Sequence, residues 1–145
     1  MIICEGLTKT FESVTAIQDF SITIPDGCIF GLLGPNGAGK TTTMRMLSCL
    51  IQPTSGKAHI DSYEIGKKAD AQKIRGMIGL LPEVPGLYET LGAYKNLDYY
   101  AQLYGISKKQ REQSIRTTLT NLELWDRRNE PVGGFSKGMK QKIAI

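Results

Sequence analysis

The sequence predicts an α/β fold with a β-rich N-terminal part, a strand–loop–helix unit at its centre and an appended helical region. Three observations predict it. Cys28-Ile29-Phe30-Gly31-Leu32-Leu33 is a short apolar run of the kind expected of a strand buried on both faces. Past a glycine-rich stretch, Met44, Leu47, Leu50 and Ile51 recur at three- and four-residue spacing, which marks one face of a helix. From Thr90 onward the β-rich character gives way to helical periodicity.

In chain order, Phe20, Ile22 and Ile24 alternate with Ser21 and Thr23, the pattern of a half-buried strand. Pro25-Asp26-Gly27 supplies a turn, since proline sets φ and Asp-Gly accepts the dihedrals that follow. Phe11 lies in a polar stretch between two strand candidates, where an aromatic by itself reads more naturally as turn packing than as a ligand platform. The apolar run 28–33 leads into Gly34-Pro35-Asn36-Gly37-Ala38-Gly39-Lys40-Thr41-Thr42, which has the form G-x-x-x-x-G-K-T. Strand, glycine-rich turn and helix in this order are the context of a phosphate-binding loop. Glycines let backbone N–H groups approach phosphate oxygens, and the helix N-terminus adds the positive end of its dipole. In such a loop Lys40 brings a full charge to the β/γ-phosphates and the Thr41 hydroxyl is a magnesium ligand. The alternative, a strand-to-helix turn that is merely glycine-rich, leaves the adjacent Lys-Thr unexplained.

Gln52-Pro53-Thr54-Ser55-Gly56 breaks the chain, and Lys57–Ile60 reads as another strand. The only histidine, His59, lies within that strand and reads as a packing or surface residue. A polar helix over 66–75 then leads into Gly76-Met77-Ile78-Gly79-Leu80-Leu81, expected to be a further core strand, and Pro82–Gly86 forms a rigid loop. Leu91, Tyr94, Leu97, Ala101 and Tyr104 make a helical stripe that stops at Gly105, a glycine placed to end a helix. Ser107 and Gln110 have capping-box spacing, Ile115, Leu119 and Leu122 mark a second helix, and Ser136 is an N-cap for a last one.

The 145 residues suffice for one domain with a sizeable core, or one domain plus a small appendage. Eighteen Lys and Arg against 14 Asp and Glu give a net charge of +4, with basic residues in short scattered clusters. That distribution argues for solvated faces and against a nucleic-acid partner. Cys4, Cys28 and Cys49 are odd in number and widely spaced, as expected of buried thiols in a reducing compartment with no zinc site. No apolar run approaches ~18 residues and no signal-like N-terminus is evident, so the expectation is a cytoplasmic chain.

Several stretches together resemble the ATP-binding cassette (ABC) family, specifically the ATP-binding subunits of transporters. Gly34–Thr42 corresponds to that family's Walker A loop, and residues 47–56 resemble the segment after the Walker A helix. Residues 82–88 resemble the loop that carries a glutamine in most members, and Phe135-Ser136-Lys137-Gly138-Met139 resembles the L-S-G-G-Q signature. The resemblance implies a P-loop NTPase core with an antiparallel β part at the N-terminus and an incomplete sheet, over residues 1–86. An α-helical subdomain over 87–145 follows and ends in the signature. It implies ATP and Mg2+ as cofactors, with Phe11 stacked on adenine and Gly34, Pro35, Asn36, Gly37, Ala38, Gly39, Lys40, Thr41 and Thr42 around the phosphates. Ser136 and Gly138 would contact the γ-phosphate held by a second subunit, in a head-to-tail dimer that moves transmembrane subunits at the inner face of the membrane. Ser136 as a simple N-cap is compatible with that role.

Three departures from the family pattern stand out. Glu83 replaces the usual glutamine and, with Thr41, is the remaining candidate metal ligand. Lys137 and Met139 replace Gly and Gln of the signature; a P-E loop with S-K-G-M resembles the exporter branch associated with drug and antibiotic resistance. Finally, the Walker B aspartate, its adjoining catalytic glutamate, the D-loop and the switch histidine all follow the signature in the family, and none occurs in these 145 residues. The expectation for residues 1–145 alone is therefore nucleotide binding without turnover, measurable as no Lys40-dependent phosphate release. The same resemblance leaves open a binding-only module, or a soluble ABC ATPase that is not a transporter.

Overall fold

The computed structural model describes all 145 residues and divides them into two compact units, Met1–Leu80 and Leu81–Ile145.

The first unit is built on a four-stranded antiparallel sheet in the order β2-β1-β3-β4. β1 (Ile2–Phe11) and β2 (Val14–Ile24) form a hairpin whose register pairs Ile2 with Ile24 and closes with Phe11 opposite Val14. Glu12, in the two-residue turn, has φ 48°, the left-handed conformation that tight hairpin turns require. β3 (Ser55–Ile60) lies antiparallel to the other edge of β1, and the short β4 (Tyr63–Glu64) pairs with β3. Two helices belong to this unit, α1 (Lys40–Leu47) and α2 (Lys68–Met77). Cys4, Leu7, Ile17, Met46, Ala58, Ile60, Ile65 and Ile74 form its core, with Cys4 and Leu7 set three apart by a register shift in β1 and each helix inserting one large side chain.

Two expected strands do not form. Residues 28–33 have no regular structure and pair with nothing, and Ile29 and Leu33 are fully or almost fully exposed. Residues 78–81 follow α2 as unpaired chain. An apolar run becomes a strand only when a neighbour accepts its N–H and C=O groups. Every strand of the antiparallel sheet is paired within that sheet, and no other segment of these residues pairs with either run. The α1 face also differs from expectation. The helix stops at Leu47, its buried residues are Thr43 and Met46, and Met44 and Leu50 are exposed. Of the three thiols expected to be buried, Cys4 is, Cys49 is half-buried, and Cys28 is exposed and donates to the Pro25 carbonyl at 3.1 Å. Burial pushes the Cys4 thiol pKa above its ordinary value.

The second unit holds α3 (Ala93–Leu103), α4 (Lys108–Asn121) and α5 (Lys137–Ala144), with a 3-10 turn over Val132–Gly134. Its core is Ala93, Ile115, Leu119, Leu124, Val132, Phe135 and Ile143. α3 ends as the sequence predicts. Gly105 has φ 71°, its N–H donates to the Gln102 carbonyl at 2.9 Å, and the Ile106 N–H reaches Ala101 at 3.1 Å. The buried face of α3, however, runs through Ala93 and Asn96, and Tyr104 is exposed. The Ser107 capping box does not form, because the Ser107 hydroxyl donates to the Gln110 side chain at 2.7 Å instead of capping the backbone.

α3 and α4 are joined by Arg111, whose Nε donates to Asp98 at 2.7 Å and whose Nη1 donates to the Ile106 carbonyl. The hydrogen bond from Arg111 is the main cause that holds the Asp98 carboxyl below its ordinary pKa. A depressed carboxyl pKa adds stability that is complete above the unfolded value of about 3.9 and is lost as pH falls through the folded value. The melting temperature of Asp98→Asn is therefore expected to lie below wild type near neutral pH. Thermal melts from pH 7 to pH 2.5 should show that gap narrowing only below about pH 4.

Candidate functional site

The loop Gly34–Thr42 lies in the first unit between the unpaired run 28–33 and α1. Its turn is closed by the Ala38 N–H donating to the Pro35 carbonyl at 3.2 Å. Gly37 and Gly39 have φ of 85° and 83°, conformations that only glycine adopts without strain. At Gly39 the requirement is also steric. A Cβ there would lie 2.7 Å from the Ala16 carbonyl oxygen and 2.7 Å from Ile17 Cγ1, both on β2. The same contact fastens the hairpin that carries Phe11 to the start of α1. At Gly37 a Cβ would meet nothing within 4 Å, so that side of the loop is open.

Gly39 caps α1 with no side-chain hydrogen bond, and the first turn contains no acidic residue. The first N–H groups of a helix have no intrahelical partner, so this end presents donors and a positive dipole end with nothing neutralising them. The Lys40 ammonium curls over the loop and donates to the carbonyls of Gly34 at 2.7 Å and Pro35 at 2.6 Å. The Thr43 hydroxyl turns inward to the Gly39 carbonyl at 3.1 Å, whereas Thr41 is exposed. Open glycine backbone, uncapped donors and a flexible cation fit a polyphosphate. No three His, Cys, Asp or Glu side chains gather into a metal-binding group. Thr41 offers one hydroxyl oxygen, which fits magnesium that takes its remaining oxygens from phosphate and water.

Phe11 is the last residue of β1, at the hairpin tip. Its ring is 44% exposed, and the Lys9 ammonium lies 4.9 Å from the ring centroid.

The remaining candidates belong to the second unit. Ser136 is the N-cap of α5, and its hydroxyl accepts from the Met139 N–H at 3.2 Å. Gly138 lies in the first turn, with open space where a Cβ would be. Phe135, just before, is buried. Arg127 covers its ring at 4.8 Å, reaches Met139 Sδ at 3.7 Å and is held by Glu130 through Nε and Nη2 at 2.9 and 2.7 Å. Glu83 is highly exposed, and its carboxylate lies 3.7 Å from the Lys137 ammonium. The two charged departures from the family pattern thus face each other.

Sequence reasoning missed Asn96. Fully buried, it accepts from the Tyr88 N–H at 2.8 Å and donates to the carbonyls of Tyr88, Leu91 and Gly92 at 3.1, 3.3 and 3.1 Å. It was detectable as the one strongly polar residue at the spacing of the apolar face Ala93, Leu97 and Tyr100.

The sequence profile of the ABC transporter family matches residues 17–145. The ABC transporter ATP-binding protein NatA of Bacillus subtilis is 41% identical over 133 residues, covering 91% of this chain and 53% of that protein. The bacitracin transport ATP-binding protein BcrA of Bacillus licheniformis is 42% identical over 139 residues, covering 96% of this chain and 44% of that protein. The chain thus spans about half the length of these curated relatives. Among solved structures, the ATP-binding subunit of an ABC transporter superposes with a TM-score of 0.81 at 29% identity, over 99% of this chain and 59% of that one. A dimeric ATP-binding cassette in a post-hydrolysis state, bound to ADP and Pi, superposes with a TM-score of 0.84 at 25% identity, over 99% of this chain and 67% of that one. With its glycine-walled loop, uncapped α1 and Ser136-capped α5, this chain has the P-loop NTPase fold of ABC ATPase domains and belongs to the ABC transporter family.

Proposed function

We propose that this chain is the nucleotide-binding part of the ATP-binding subunit of an ABC-type membrane transporter, of the drug-resistance-like exporter branch that its bacitracin transport relative supports. The observation that carries the reading is the loop at Gly34–Thr42: open at Gly37, uncapped at Gly39, with Lys40 already folded over it. Bound MgATP would supply the phosphoanhydride whose cleavage the family couples to transport. The chain's own residues bind and orient it. The N–H groups of Gly37 to Thr42 would hold the phosphates, Lys40 would exchange two neutral carbonyls for phosphate oxygens, and the Thr41 hydroxyl would be a magnesium ligand. Exchanging a neutral acceptor for an anionic one adds Coulombic attraction to each hydrogen bond of the Lys40 ammonium, which favours opening its carbonyl contacts when phosphate arrives. Phe11 offers an exposed ring face for adenine, a contact that tolerates changes in the base.

For the second unit, the Ser136 hydroxyl and the Gly138 backbone are assigned to the nucleotide of a second subunit, in a head-to-tail dimer. The dimeric state of the relative bound to ADP and Pi supports this. No helix here is long and apolar enough to cross a membrane; the partners proposed for transport are transmembrane subunits. Glu83 keeps its assignment as a candidate magnesium ligand, in competition with Lys137.

Isothermal titration of the chain with MgATP, MgADP and AMP tests the reading. ATP and ADP are expected to bind and AMP to show no measurable heat, because the loop grips the β-phosphate and beyond. Equal affinity for AMP would place recognition on the base and remove the loop from the site.

A further inference from the structure

Glu89, three residues after Gly86, grips the signature turn from both ends. Ahead of the turn, its backbone carbonyl accepts from the Gly133 N–H at 2.9 Å. Beyond the turn, its carboxylate accepts from the Lys140 ammonium at 2.9 Å. Glu89 is itself held, because Asn96 ties down Tyr88 before it and Leu91 and Gly92 after it. Lys140 is more shielded than a typical surface lysine, with its side chain 22% exposed. The charges also call for such a partner. The first turn of α5 holds Lys137 and Lys140 and no acidic residue, which sets two cations at the positive end of the helix dipole. Glu89 offsets the one nearer the body of the helix. Glu83 faces the other only at 3.7 Å, beyond hydrogen-bond range.

We infer that Glu89 is a positioning residue for Ser136 and Gly138, acting through Gly133 and Lys140 to hold the turn between them in one conformation. It makes no contact with nucleotide in this role. Its consequence for phosphate binding rests on the assignment of Ser136 and Gly138 given above, but the positioning itself does not.

The test is NMR of the 145-residue chain, following the backbone amides of residues 136–140 in Glu89→Gln, Lys140→Met, the combined Glu89→Gln/Lys140→Met variant, Glu83→Gln and the Glu89→Lys/Lys140→Glu exchange. Glu89→Gln and Lys140→Met should displace the same amides. Each should also speed hydrogen exchange at the Met139 N–H, the proton Ser136 accepts, by about two- to five-fold, the range of a partly exposed ion pair. The combined variant should do no more than either single one, the charge exchange should bring the resonances back towards wild type, and Glu83→Gln should leave them in place. Unmoved amides, additive effects, no recovery on exchange, or an equal response to Glu83→Gln would each overturn the inference. A simple loss of folding would show as collapse of the Ile115 and Leu119 resonances as well, and the milder Lys140→Met would then decide. Because these readouts need no nucleotide, they can fail while titration still shows Lys40-dependent ATP binding, and the reverse also holds.

Discussion

Lys40→Ala is expected to weaken MgATP binding by about 10- to 100-fold, the loss associated with one or two charge-assisted hydrogen bonds to phosphate. The effect should be confined to binding. Lys40 donates only to the Gly34 and Pro35 carbonyls, two exposed contacts that water can replace, so the variant should fold and melt close to wild type. Titration calorimetry and a thermal melt with and without MgATP separate the two. Wild type should melt higher in the presence of MgATP, since a ligand that binds only the folded state raises its stability, and at the same MgATP concentration the variant should shift less. An equal thermal shift in both would remove Lys40 from the site. Gly39→Ala offers a contrasting case at the same loop. Its Cβ would clash with Ala16 and Ile17 and sit at a left-handed φ, so it should lower both affinity and melting temperature.

Replacement of Asn96 by leucine is expected to destabilise the second unit by about 3 kcal/mol, as the two N–H donors and one acceptor of its buried amide are lost at roughly 1 kcal/mol each. Leucine has the same number and branching of side-chain heavy atoms, so no void opens and the cost is chiefly polar. Asn96→Asp sharpens the point. A carboxylate can still accept from the Tyr88 N–H but cannot donate to the carbonyls of Tyr88, Leu91 and Gly92, so aspartate should be at least as damaging as leucine. Trp125, the only tryptophan, lies in the second unit, where Tyr94 meets it edge-on and Arg128 stacks at 4.3 Å. Its fluorescence during urea unfolding therefore reports on that unit. A midpoint for Asn96→Asp equal to wild type would show that the buried amide contributes nothing to the stability of the Tyr88–Gly92 segment.

The elements read correctly from sequence share a property: their cause lies within a few residues. The hairpin strand ending at Ile24 follows from alternation, the end of α3 from Gly105, and the start of α5 from Ser136. Errors arose where the cause lies elsewhere in the chain. Residues 28–33 and 78–81 have strand composition, but hydrogen-bonded neighbours are what make a strand, and composition does not show whether they are there. Met44 and Tyr104 fit a helical period yet face solvent, because a period fixes which residues share a face and leaves open which face is covered. Asn96 is the converse case, a polar residue on a buried face, intelligible only once the three carbonyls around it are in view.

By itself the sequence determined the glycine-rich loop at Gly34–Thr42, the Ser136-capped start of α5 and the family that the two together indicate. Each depends on glycine conformations, a lysine and a hydroxyl at short fixed spacings, and backbone sterics enforce those locally. Only the tertiary structure decided that the sheet among these residues is wholly antiparallel and that Gly39 is pressed against β2. The ion pairs of Glu83 with Lys137 and of Glu89 with Lys140 likewise emerged only there. Those features join residues tens of positions apart, and they exist because burial and charge must be satisfied across the folded chain.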